Sequence, residues 1–312
     1  MIKGTYIFYE DGQEICRSKN ILTKFGKRYL TNVIAGNVNA LSKEVAIGID
    51  STAATANDSR LGFEFYRTEV TLSSTDIQQD GLDSNSQPIF TYSAIFKTTI
   101  PQDISGIIKE IGLYPSTKTG TNNYDSRFIS DFSNPADWVD TLGSPAQEVT
   151  SNARIGGFLV GMSSNNNAAN EYKTNALLDF SGYSSADTLT VAYRQYDSNL
   201  SSFRIKFYTT DTDYYYAQIS SSTTGDKIAE VSMNTLFSNT VGSPQKNNIT
   251  KIGILITPSS GISQVFFDGI RINDEDTFDP IYGLISRSIL STPLTKLNGR
   301  QVDIEYKLDL SF

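Results

Sequence analysis

The chain has 312 residues, 38% of them hydrophobic and 19% charged, and 34 acidic against 26 basic residues leave a net charge of −8. That is enough apolar material for two cores of ordinary size, which excludes a disordered chain. No basic run marks a nucleic-acid binder, and no apolar run approaches the ~18 residues of a membrane-spanning helix, so neither nucleic acid nor membrane insertion is expected.

Tyr and Phe number 17 each against 3 Met, and the polar residues are mainly Ser, Thr, Asn and Asp. This balance favours pleated surfaces and turns over helix interiors. Residues 2–9 and 13–17 alternate around Asp11-Gly12, a hairpin signal. They begin a strand at once, with no apolar signal core, so folding in a cytosol is expected. The single cysteine, Cys16, is expected as a buried strand residue. Leu22, Phe25, Tyr29, Leu30, Val33 and Ile34 fall near helical spacing before Gly36 and predict a helix over 22–35. Gly26 lowers its propensity but permits close packing on a sheet.

Residues 44–50 read as a buried strand, with a polar loop to Asp58. Further strands are expected at 65–73, 89–100 and 107–114, with turns at Asp80-Gly81, Pro88 and Pro101. Asp58 is placed to cap the turn before Leu61. Glu64 and Arg67, three residues apart, can form a local ion pair, and Glu110, inside an apolar run, needs a cationic partner such as Arg67. After Pro115 the texture becomes a polar junction at 116–123.

A second series of short strands follows: 154–160, 176–180, 188–193, 202–209, 214–220, 227–231, 251–256 and 264–272, with an exposed loop at 163–170 and one helical turn at 231–237. Evenly spaced strands with polar turns suggest a sandwich or jelly roll. In a strand, one ring of Tyr214–Tyr216 must face opposite to its neighbours. Finally Val302, Ile304, Tyr306, Leu308 and Leu310 alternate with polar residues, a half-buried strand whose best partner is the first series.

The expected fold class is therefore all-β and mainly antiparallel. A small β-sandwich module with one helix, residues 1–116 plus 279–312, is interrupted by a jelly-roll-like β-sandwich at 120–278. Chemistry is sparse. Without histidine there is no Ser-His-Asp triad and no imidazole ligand, and one cysteine cannot build a thiolate zinc site. No Gly-rich phosphate loop precedes a helix. No pair of carboxylates stands out for glycoside hydrolysis. The expectation is a non-enzyme without a cofactor.

Three segments resemble known proteins. Asn20-Ile-Leu-Thr-Lys-Phe-Gly26, then Val45 through Glu64 with Arg67-Thr-Glu-Val70, then Ile108-Lys-Glu-Ile-Gly-Leu113 are similar to the opening module of tail-fibre and appendage proteins of tailed bacteriophages. Ile49 and Asp50 depart from that pattern, where Gly or Thr is commoner. Ile285 through Lys296 and Asp303-Ile-Glu-Tyr306 resemble the ends of such virion proteins. The resemblance implies a virion structural protein, made in the host cytoplasm and joined to other virion proteins. A homo-oligomer is implied, with a trimer one arrangement open. The position implied is tail or baseplate; a capsid decoration protein is the alternative, and a polysaccharide depolymerase a more distant one.

Within 127–273, Asp131-Phe-Ser-Asn-Pro-Ala-Asp-Trp138 and Val265-Phe-Phe-Asp-Gly-Ile-Arg-Ile272 resemble the first and last strands of carbohydrate-binding and galactose-binding-like jelly rolls. That resemblance implies a structural calcium on Asp131 and Asp268. It also implies a host-glycan ligand, for which Trp138, Tyr193, Tyr196, Tyr214 and Tyr216 are the candidate rings.

Overall fold

The computed structural model describes residues 2–36, 44–82, 84–115, 127–220, 223–273 and 283–311. The junction expected at 116–123 and the boundary expected at 279 lie outside them. The chain divides into two compact units, 1–121 with 277–312, and 122–276.

The first unit opens with β1 (Ile2–Glu10), β2 (Gln13–Lys19), β3 (Ile21–Leu22), α1 (Lys24–Ile34), β4 (Glu44–Gly48), β5 (Glu64–Glu69), β6 (Thr71–Leu82), β7 (Pro88–Ile100) and β8 (Gly106–Tyr114). The second contributes β9 (Arg127–Ser130), β10 (Val139–Asp140), β11 (Gln147–Val149), β12 (Leu159–Ser163), β13 (Asn170–Leu178), β14 (Thr188–Gln195), β15 (Leu200–Tyr208), β16 (Tyr214–Ile219), β17 (Gly225–Ser232), α2 (Met233–Ser238), β18 (Thr240–Val241), β19 (Ile249–Pro258) and β20 (Gln264–Asn273). The chain then returns to the first unit with β21 (Ser286–Lys296) and β22 (Val302–Ser311). Pairing among the described strands is antiparallel throughout.

The first unit has two five-stranded sheets, ordered β2-β1-β22-β7-β6 and β3-β21-β8-β4-β5. Val302, Ile304, Tyr306 and Leu308 alternate into the interior, as their spacing predicts. The Tyr306 ring lies 4.8 Å from Tyr6 on β1 and 6.2 Å from Phe96 on β7. The Tyr6 hydroxyl reaches Ser286 Oγ on the opposite sheet at 2.8 Å. Such a cluster of tilted rings, with the Tyr6 hydroxyl satisfied, fixes which face of each strand points inward.

Helix α1 begins where Thr23 Oγ1 accepts the Gly26 N–H at 2.9 Å, an N-cap that satisfies one orphan donor. Gly26 is required by proximity, because a Cβ there would sit 2.0 Å from the Ile285 carbonyl oxygen. The buried residues of the helix are Gly26, Tyr29 and Leu30.

The loop between β4 and β5 folds around one buried carboxylate. Glu110 is fully buried and accepts the N–H groups of Asp50, Gly62 and Phe63 at 3.2, 3.0 and 2.9 Å. Its cationic partner is Arg287, with bonds of 3.0 and 2.8 Å, which corrects the expectation of Arg67. Arg287 also holds Asp50 and Asp58, each at 2.9 Å. Arg67 pairs instead with Glu64, at 2.9 and 2.6 Å, and with Glu44 at 3.3 Å. Asp58 accepts the N–H and hydroxyl of Thr55 at 3.0 and 2.6 Å rather than capping the turn before Leu61. Burial pushes the Asp58 carboxyl up, but the Thr55 and Arg287 bonds outweigh it and hold the group below its usual value.

Two local expectations also change. Asp80-Gly81 is strand rather than turn: Gly81 has φ +128° and sits at a bulge of the β6–β7 hairpin. Cys16 is only half-buried, because β2 is an edge strand.

The second unit packs a six-stranded sheet, β10-β13-β19-β15-β16-β18, against β11-β12-β20-β14-β17, with β9 also paired to β20. Phe203, Ile205, Phe207, Ile252, Ile254 and Ile256 point inward from the first sheet. Leu189, Val191, Tyr193, Val265, Phe267, Ile270 and Ile272 meet them from the second. Arg154 is not in a strand, which corrects the expectation over 154–158.

Candidate functional site

Because the side chains of β15 alternate, burying Phe203, Ile205 and Phe207 turns Arg204, Lys206 and Tyr208 to the outer face of the six-stranded sheet. Register aligns three cross-strand rows there. Gln218, Arg204, Leu255 and Glu171 form one; Tyr216, Lys206, Gly253 and Lys173 the next; Tyr214, Tyr208, Lys251 and Asn175 the third. The Tyr214 ring lies 4.9 Å from Tyr208 and 6.3 Å from Tyr216. Cations sit over these rings: Arg204 at 5.1 Å from Tyr216, Lys206 at 4.9 Å from Tyr214 and Lys173 at 4.6 Å from Tyr208.

Gly253 makes the floor of this face possible. A Cβ there would meet Tyr208 Cε2 at 2.8 Å and Glu171 Oε1 at 2.7 Å, so its absence lets ring and carboxylate lie flat across the strand. Glu171 accepts the Tyr208 hydroxyl at 2.6 Å and pairs with Lys206 at 3.1 Å and Lys173 at 3.6 Å. Burial, and then Glu171 beside it, pushes the Tyr208 phenol far above its ordinary value, so it stays protonated as a donor. Lys251 is held by Asp211 at 2.7 Å. The face presents two half-buried rings, Tyr214 and Tyr216, beside the buried Tyr208 and Lys206, and is bordered by fixed donors.

The five candidate rings separate. Tyr214 and Tyr216 stand on this face, while Tyr215 between them points into the core. Trp138 and Tyr193 are each 2% exposed and belong to the core, which corrects their expected role. Trp138 stacks on Phe132 at 5.0 Å, and Tyr193 meets Phe203 edge-on at 4.9 Å. Tyr196 is 62% exposed but follows β14, on the other sheet, with its ring 5.5 Å from Phe266. Arg204, Lys206, Tyr208, Glu171 and Lys173 were not among the candidates. The alternation of Phe203, Ile205 and Phe207 carries the signal for the first three.

The donors expected for calcium do not fit it. Asp268 is buried inside β20, where its oxygens accept the Arg154 backbone N–H at 3.1 Å and the Arg154 Nε at 2.5 Å. Arg154 is itself fixed, its Nη2 donating to the Tyr193 carbonyl at 3.2 Å. The guanidinium thus supplies the charge that a metal was expected to supply. Asp131 is exposed and accepts the Ser133 N–H at 3.0 Å. Among the described residues, no group of three or more acidic, histidine or cysteine side chains could hold a metal ion. Asp131 and Trp138 do share a cavity of about 250 Å³, lined also by Asn134, Thr174, Asn175 and Leu177.

Neither a protein-family model nor a curated protein matches the sequence. Among solved structures, the chain is similar to a family 11 carbohydrate-binding module from Clostridium thermocellum in complex with a mixed-linked tetrasaccharide. Identity is 15%, 47% of this chain and 94% of that one are covered, and the TM-score is 0.35. TmCBM61, in complex with a galactotriose, is 14% identical, with 48% and 100% covered and a TM-score of 0.31. An exo-beta-agarase is 14% identical, with 49% of this chain but 26% of that one covered and a TM-score of 0.36.

Proposed function

We propose that the chain is a glycan-binding structural protein of a virus particle, a tail or baseplate appendage of a tailed bacteriophage. Its first unit joins the particle, and the outer face of the six-stranded sheet meets host-surface saccharide. The observation that carries the binding half is the pair of half-buried rings Tyr214 and Tyr216, flanked by Arg204 and Lys206 and floored by the buried Tyr208. A sugar ring has an apolar C–H face and an equator of hydroxyls. Tyrosine supplies a flat apolar partner with a polar tip, and the fixed N–H donors supply orientation.

Binding without turnover is the reading the chemistry favours. The one carboxylate in the three rows, Glu171, is tied to Tyr208 and two lysines, whereas glycoside hydrolysis needs a pair at a set separation. The full chain on a glycan array is expected to give signal that falls at least about tenfold in Tyr214→Ala and Tyr216→Ala. Silence of the wild type across the array would refute the reading.

The virion half is supported by the three segments between Asn20 and Leu113. It is also supported by β6, an edge strand exposed along its whole length that shows Leu72, Ile77 and Leu82 to solvent. A long exposed edge of this kind, unpaired on one side, is suited to assembly with further copies or other subunits. Electron microscopy of particles labelled with an antibody to residues 163–170 is expected to show label on the tail. Label over the head would assign the chain to capsid decoration instead.

A further inference from the structure

We propose that the face selects anionic saccharides, those carrying carboxylate groups, over neutral ones; the inference rests on the glycan-binding reading above. In two adjacent rows stand three cations, Arg204, Lys206 and Lys173, against the single carboxylate of Glu171. In the third row Lys251 is neutralised by Asp211. The face therefore carries surplus positive charge on a chain whose net charge is −8. Such a local reversal focuses the field towards an acidic ligand.

Arg204 is the specific contact. Its Nε donates to Gln218 Oε1 at 2.8 Å, and its guanidinium lies over the Tyr216 ring. These contacts hold the plane of the group while, among the described residues, it forms no salt bridge. A guanidinium fixed in this way offers its two Nη groups as a fork, the geometry that matches a carboxylate. Lys173, 3.6 Å from Glu171 and with a side chain 36% exposed, supplies the second reachable charge. Lys206 is buried against Glu171 and contributes field rather than contact. A neutral sugar would use the rings but leave Arg204 and Lys173, both half-buried, with water.

The test is the full chain on an array of paired probes, each uronic-acid or sialylated glycan beside its carboxyl-reduced counterpart, at low and high ionic strength. The expected result is binding about tenfold tighter to the acidic member, the size of one charge-assisted contact. The advantage should shrink at high salt and vanish in Arg204→Gln with Lys173→Gln, while any residual binding still depends on Tyr214 and Tyr216. Equal binding of both members would overturn the inference and leave the glycan reading standing. So would an acid preference that survives both substitutions, since another surface would then carry it. No binding to any probe would remove both.

Discussion

Arg287 closes the long β4–β5 loop of the first unit by joining two of its carboxylates, Asp50 and Asp58, to Glu110 of β8. Replacing it with alanine leaves Glu110 buried with only backbone N–H partners, and breaking a buried pair in this way costs about 3–5 kcal/mol. Urea unfolding of Arg287→Ala should show that loss, and Arg287→Lys should recover little of it, because a point charge cannot span the fork. A midpoint close to wild type would show that the N–H groups alone satisfy Glu110. The residue scale is also where the sequence was least legible. Glu64 and Arg67 are three apart and their pairing is visible in the spacing. Glu110 and Arg287 are 177 apart, and only the fold decides between two arginines. Trp138 hides in the same manner: its neighbours look polar, but Phe132 and, through it, Phe267 draw it inside.

At the scale of elements, legibility follows burial. β22 and β15 each bury one face, so their period of two is written in the residues. β6 buries neither face, so its sequence carries no alternation, and Asp80-Gly81 imitates a turn. Helix α1 is legible because Thr23 caps it and an apolar stripe continues from it. β22 is also the element on which the first unit depends, since it lies between β1 and β7 and pairs with both along its length. A chain ending at Gly299 should lose hydrogen-exchange protection in β1 and β7, while β14, β15 and β19 keep theirs. Persisting protection in β1 would mean that its pairing with β2 suffices.

For the whole molecule, connectivity separates two compact units. The all-β class was legible from composition and turn spacing alone, whereas the cationic face was not, because it appears only when β13, β15, β16 and β19 come into register. Connectivity has a consequence of a different kind. β8 and β21 are neighbours, with Leu113 opposite Ser286. β9 and β20 are neighbours too, with Arg127 opposite Ile272. The second unit thus leaves and rejoins the chain between neighbouring strands, and each doubling of such an insert's length adds only about 0.6 kcal/mol to the cost of closure. A lineage can therefore exchange the second unit as a single cassette without redesigning the sheets of the first.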